Sequence, residues 1–272
     1  MAELKRRVLA VDIDGTLVNS KKEITPGVLG ALRVFQEAGG ILVLASGRPP
    51  HGMMRYAEEL ELKKYGGYVL AFNGSRVLDT RSGQLVFQKN LDYRKVPQIA
   101  ALGREYGVAV LTYEGNTIIT ETPDNRFLQL EKEINGLELK VVESIGDYVR
   151  FEIPKCLGTA EPELLLPLER ALREQIDNVS VFRSEPFFLE VNPIGIGKGE
   201  VLRMLVETRL GLTARDVVAC GDGYNDITML GYAGVGAAMA NARDAVLNCA
   251  DVITHSNQED GVARMVYEYC FG

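Results

Sequence analysis

The sequence predicts an α/β protein: a doubly wound parallel sheet carrying an inserted α+β domain. Three observations predict it. Short apolar runs alternate with helix-like segments over the first part of the chain. The same alternation returns at Lys198 and continues to the end. Between them lies a stretch with a hairpin signal and with strands and helices in no regular order. At 272 residues the chain can hold two modest domains, each with its own core. The expected division is a discontinuous core of residues 1–79 and 190–272, with residues 80–189 inserted.

The elements follow in order. Val8-Leu9-Ala10-Val11 reads as a buried strand. Thr25-Pro26 is a helix start, with Thr as N-cap and Pro in the first turn; Val28, Leu29, Leu32 and Phe35 form the apolar face, and Gly39-Gly40 ends it. Ile41 to Ala45 is a second strand, a weaker helix covers about 49–60, and Tyr68 to Phe72 is a third strand. Arg76–Asp79 and Gln84–Phe87 flank Thr80-Arg81-Ser82-Gly83 as a hairpin. In the insert, helices are expected near 96–106, 124–134 and 162–175. Strands there are expected near 108–111, 117–120, 149–153, 179–182 and 187–191. From Lys198 the order is helix, strand 217–220, helix, strand 234–237, helix, strand 251–254, and a last helix over about 260–269.

Composition excludes several classes. A net charge of −7 gives no electrostatic engine for nucleic-acid binding. Cys156, Cys220, Cys249 and Cys270 have neither zinc-site nor disulfide-framework spacing. No run suits a signal peptide or a membrane span, so a cytoplasmic location is expected. Nothing in the chain sets an oligomeric state. A Walker A loop would need Gly at Asn192 and Ser or Thr at Gly199.

The chemistry sits in four stretches. Asp12-Ile13-Asp14-Gly15-Thr16 follows the first strand. A strand has period two, so the two carboxylates can leave its end on one side. One can attack phosphorus while the other shuttles a proton. Taken alone, the pentad also fits an ordinary strand exit, since Asp and Gly are common turn residues. Ser46-Gly47-Arg48 follows the second strand, Gly197-Lys198 opens a helix, and Gly221-Asp222-Gly223-Tyr224-Asn225-Asp226 follows a later strand. A cation at a helix N-terminus opposes the helix dipole, a mild cost that makes sense with an anion between them. All four stretches fall at carboxyl ends of core strands or at adjacent helix starts, where open α/β sheets bind ligands. Four carboxylates there repel strongly; two charges 4 Å apart cost roughly 4 kcal/mol at an effective dielectric of 20. A divalent cation answers that, and all-oxygen donors with a phosphate substrate suit Mg²⁺ rather than zinc.

Acid pair, hydroxyl, lysine and second acid pair, in that order, resemble the haloacid dehalogenase (HAD) superfamily, and within it the Cof-like phosphatases. Phe72-Asn73-Gly74, Ala238–Ala242, Ala250-Asp251 and Glu259–Val262 add smaller matches. The resemblance implies a HAD-like Rossmannoid core with a cap that selects the substrate. It implies Asp12 as nucleophile forming an aspartyl-phosphate, Asp14 as general acid and base, and Ser46 and Lys198 as phosphoryl contacts. Mg²⁺ would be held by Asp12, Asp222 and the Asp14 carbonyl, with Asp226 supporting from behind. Asn225 would contact the phosphoryl group or shape the site. Gly47 and Arg48 are expected to help bind phosphate, although Arg48 also reads as a surface residue and Asn73-Gly74 as a tight turn. The expected activity is Mg²⁺-dependent hydrolysis of a small phosphorylated metabolite, foremost a sugar phosphate, with a nucleotide or cofactor phosphate as a further class. A phosphomutase and a non-enzymatic phospho-acceptor are the alternatives.

Overall fold

The computed structural model describes residues 3–271. The chain forms two compact units, one of Met1–Gly47, Met53–Phe87 and Gly197–Gly272, the other of Arg48–Gly52 and Gln88–Ile196. The first part of the chain supplies β1 (Val8–Asp12), α1 (Pro26–Glu37), β2 (Ile41–Ala45), α2 (Pro50–Glu59), α3 (Leu62–Tyr65), β3 (Gly67–Ala71), β4 (Arg76–Asp79) and β5 (Gln84–Gln88). The insert supplies α4 (Val96–Glu105), β6 (Ala109–Glu114), β7 (Thr117–Thr120), α5 (Arg126–Asn135), β8 (Glu138–Val141), α6 (Ile145–Tyr148), β9 (Cys156–Thr159), α7 (Pro162–Gln175), β10 (Val179–Glu185) and β11 (Phe188–Pro193). The last part supplies α8 (Lys198–Met204), β12 (Val217–Gly221), α9 (Ile227–Tyr232), β13 (Val235–Ala238), α10 (Asp244–Leu247), β14 (Val252–Ile253) and α11 (Gly261–Met265).

The larger sheet runs β14-β13-β12-β1-β2-β3-β4-β5. It is parallel from β14 to β3, and β4 returns antiparallel on β3. The central strands β1, β2 and β12 are apolar and almost wholly buried, as strands covered on both faces must be. Strand order reverses around β1, which puts its carboxyl end at the crevice such sheets use for ligands. The helix signals at α1 hold: Thr25 Oγ1 accepts from the Val28 N–H at 3.3 Å, and Pro26 needs no partner.

Two boundaries differ from the expectation. Strand β5 falls in the expected insert, yet it extends the larger sheet beyond β4. Strand β11 runs to Pro193 in the smaller sheet, and the first unit resumes only at Gly197. No strand forms over 149–153. Val149 and Ile153 are buried in the insert's core, and Ile153 meets Leu91 in an isolated bridge. The strand lies instead at β9, paired antiparallel with β6 and β11. No helix among the described residues is long and apolar enough to cross a membrane.

The smaller sheet, β10-β11-β9-β6-β7-β8, buries one apolar face with α4 and α7, including Val110, Cys156, Leu189 and Val191. Alternation sends Glu190 and Asn192 to the other face. There Lys155 Nζ meets Glu190 Oε2 at 2.8 Å, and the Tyr113 hydroxyl donates to Glu131 Oε1 at 2.7 Å. Burial raises the Glu131 carboxyl to about 7, against the opposing pull of Lys155 and the Tyr113 hydrogen bond. Since Glu131 holds its proton more tightly folded than unfolded, its contribution is full below the unfolded value and is lost as pH rises through about 7. Glu131→Gln should therefore flatten the fall in stability between about pH 4.5 and 7, removing up to about 3 kcal/mol of pH dependence in urea titrations. An unchanged slope in that window would remove Glu131 as its source.

Candidate active site

Asp12 is the last residue of β1 and is buried. The chain then closes on itself, with the Leu17 N–H donating to Asp12 O and the Val18 N–H to Ile13 O, both at 3.1 Å. Gly15 is required twice over. Its φ is +81°, and a Cβ there would fall 2.2 Å from Asp222 Oδ2. Thr16 Oγ1 donates to Asp222 Oδ1 at 2.8 Å, so the first stretch grips the last.

Lys198 opens α8 and is fully buried. Its Nζ lies 2.5 Å from Asp12 Oδ1 and 2.6 Å from Asp226 Oδ1. Helix α8 reaches this depth because it packs directly on α9: a Cβ at Gly199 would fall 2.2 Å from Thr228 O. Asp226 Oδ2 accepts the backbone N–H groups of Asp222 at 3.0 Å and Gly223 at 2.8 Å. Asp226 is thus bonded through both oxygens and fixes the loop that carries Asp222. The other acid of the opening motif sits differently. Asp14 is partly exposed and pairs with Lys22 Nζ at 2.6 Å.

Burial pushes the Asp12 carboxyl well above the usual carboxylate range; Lys198 opposes this, and Asp226, Asp222 and Asp14 add to it. Burial alone would lower Lys198, but Asp12 and Asp226 outweigh it and hold the ammonium charged. Lys198 does not cancel the penalty that burial and the neighbouring carboxylates place on the Asp12 charge. A dication would relieve it. Asp12, Asp222 and Asp226 each bring an oxygen within 4.8 Å of the others, an all-oxygen donor set that fits a hard cation.

Ser46 follows β2 and is buried, with its N–H donating to Leu70 O at 2.9 Å. Gly47 ends its segment of the first unit, and Arg48 belongs to the second. There the Arg48 guanidinium donates to the carbonyls of Ile134 at 2.8 Å and Gly52 at 3.3 Å, and Arg48 is buried, not the surface residue its chemistry suggests. Asn225 Nδ2 donates to Asn73 Oδ1 at 2.9 Å. Cys220 is buried inside β12 and burial raises its thiol, so it is no nucleophile.

The family model for haloacid dehalogenase-like hydrolases matches residues 9–266. The chain belongs to this family. It is 33% identical over 267 residues to YxeH of Bacillus subtilis (strain 168), a protein provisionally named a phosphatase, covering 96% of this chain and 97% of that one. It is 30% identical over 260 residues to the 5-amino-6-(5-phospho-D-ribitylamino)uracil phosphatase YcsE of the same organism, covering 96% and 94%. A crystal structure of a haloacid dehalogenase-like hydrolase from Bacteroides thetaiotaomicron superposes with a TM-score of 0.86 at 38% identity, covering 97% of this chain and 99% of that one. These names agree with the expected class, a phosphoric monoester hydrolase.

In this hydrolase the structure brings Asp12, Lys198, Asp222 and Asp226 into one cluster. It also shows groups that sequence reasoning missed. Lys22 has a left-handed φ of 61°, unusual for lysine, and its carbonyl accepts from Arg55 Nη2 at 3.2 Å. Asn241 Nδ2 donates to Gly15 O at 2.8 Å and so ties down the opening turn. The Ala238–Ala242 match pointed toward Asn241; nothing in the sequence singled out Lys22.

Proposed function

We propose that the protein is a Mg²⁺-dependent phosphatase that hydrolyses a small phosphorylated metabolite through an aspartyl-phosphate. The observation that carries this reading is Lys198, buried between Asp12 and Asp226 beside Asp222. That arrangement aims a fixed positive charge at a nucleophilic carboxylate, which suits phosphoryl transfer, where positioning and charge neutralisation do most of the work.

Asp12 attacks phosphorus and the ester oxygen leaves with a proton from Asp14. Asp14 then takes a proton from the water that cleaves the aspartyl-phosphate. Ser46 donates to the phosphoryl group, and Lys198 orients Asp12 and balances charge. Asp12, Asp222 and the Asp14 carbonyl would hold Mg²⁺, with Asp226 fixing the Asp222 loop. When bound, the dication supplies charge neutralisation for the phosphoryl oxygens. The insert selects the substrate, a sugar phosphate foremost, with a nucleotide or cofactor phosphate as the other classes; the substrate named for YcsE joins a sugar-like chain to a heterocycle.

A panel of phosphorylated metabolites assayed with Mg²⁺ tests the reading. Free phosphate is expected from at least one member, chelator should abolish it, and added Mg²⁺ should restore it. Phosphoryl transfer back to a sugar, without free phosphate, makes the enzyme a mutase instead. Full activity in excess chelator removes the metal from the account. Asp222→Ala should move the Mg²⁺ half-saturation point upward; an unmoved curve counts against Asp222 as a ligand.

A further inference from the structure

Asn73 follows β3 in a turn whose three residues are all left-handed: Phe72 at φ 52°, Asn73 at 55° and Gly74 at 102°. Two of these are not glycine, so the surroundings must impose the conformation. They do so from two sides. The Asn73 N–H donates to Ser46 O at 2.9 Å. Helix α8, which Lys198 opens, presses on Gly74, where a Cβ would fall 2.7 Å from Val201 Cγ2. A third hold comes from Asn225, whose Nδ2 donates to Asn73 Oδ1 at 2.9 Å and fixes the amide. Asn73 is fully buried, as Lys198 is, and its Nδ2 has no acceptor among the described residues. Buried side-chain donors are nearly always satisfied, and this one is held rigidly with its N–H groups unused.

We propose that Asn73 is a further catalytic residue, its side-chain NH₂ donating to an oxygen of the transferring phosphoryl group. The inference rests on the phosphatase reading above. An amide nitrogen has no lone pair to offer a metal, so its ligand is an acceptor. The turn is held by segments that carry the groups assigned to the phosphoryl group: the Ser46 carbonyl meets Asn73, and helix α8, which Lys198 opens, packs on Gly74 through Val201. A neutral donor adds a hydrogen bond without altering the charge balance set by Lys198. The strained turn is then the means of aiming it.

Asn73→Asp keeps the shape, tolerates left-handed φ and retains an oxygen for Asn225, but replaces the NH₂ with an acceptor. With an aryl phosphate and Mg²⁺, kcat should fall by about 10²-fold or more, the usual effect of losing one preorganised donor. Inhibition by orthovanadate should weaken in parallel, while Mg²⁺ half-saturation holds. Asn73→Gly, which also accepts positive φ, gives the same comparison if the Asp variant does not fold. Values of kcat and vanadate affinity within about twofold of wild type would overturn the assignment. So would a kcat loss that leaves vanadate affinity intact, because that marks a shaping role. Failure of the phosphatase reading looks different: wild-type protein would neither hydrolyse phosphate esters nor bind vanadate in Mg²⁺.

Discussion

Asp12→Asn is expected to abolish turnover, by on the order of 10⁶-fold as for loss of a covalent nucleophile, and to remove any first-turnover burst. Asp14→Asn should instead separate the two halves of the reaction. The structure gives the two acids unlike surroundings: Asp12 is buried against Lys198, while the Asp14 side chain is 30% exposed and faces Lys22. Two carboxylates in different environments take different roles. An aryl phosphate has a good leaving group and needs little protonation, so Asp14→Asn should release about one equivalent of aryl alcohol per site in rapid mixing, as for an accumulating covalent intermediate, and then turn over slowly. With a sugar phosphate the same variant should show almost no first turnover. A burst in Asp12→Asn and none in Asp14→Asn would reverse the assignment. Asp12→Asn should fold well, since it removes one charge from a crowded acidic cluster.

Lys198→Met carries the second large effect, and it has two readouts. The ammonium is the counter-charge both Asp12 and Asp226 touch. Its loss should lower kcat about 10²–10³-fold with a much smaller change in KM. It also leaves two buried carboxylates without their partner, which costs about 3–5 kcal/mol of stability. Mg²⁺ should restore part of that, so the variant's Tm should depend on Mg²⁺ more steeply than that of wild type. A kcat within about twofold of wild type, small against that range, would make Lys198 a structural lysine. A Tm that does not respond to Mg²⁺ in either protein would show that the cluster does not need a cation.

The acids were legible because their positions follow from backbone geometry. Asp12 ends an apolar run, and strand exits in a parallel sheet converge, so Asp12 and Asp222 meet although 210 residues separate them in sequence. The turn after β3 was not legible. Asn-Gly reads as an ordinary turn, and only Ser46, Asn225 and Val201, distant in sequence, reveal what the turn does. The strand expected over 149–153 failed for a related reason. Val149, Phe151 and Ile153 alternate with polar residues, but alternation needs a partner to become a ladder. The partners, β6 and β11, take Cys156–Thr159 instead. Arg48 was read for its charge, whereas its hydrogen bonds depend on Ile134, a contact no local pattern encodes.

The pairing of Val8 with Val217 gives the chain a timetable. Strand β1 has one neighbour at hand in β2, but the other, β12, follows more than two hundred residues later. At roughly 5–20 residues per second during synthesis, that wait lasts about 10–40 seconds. Residues 88–196 form a contiguous segment with its own sheet and core and can finish folding within it. Throughout that interval the flank of β1 that will receive β12 offers unpaired N–H and C=O groups to any passing strand. A nascent chain stalled before Val217 should therefore aggregate through this flank while its insert is already native, and protease protection should appear in the insert first.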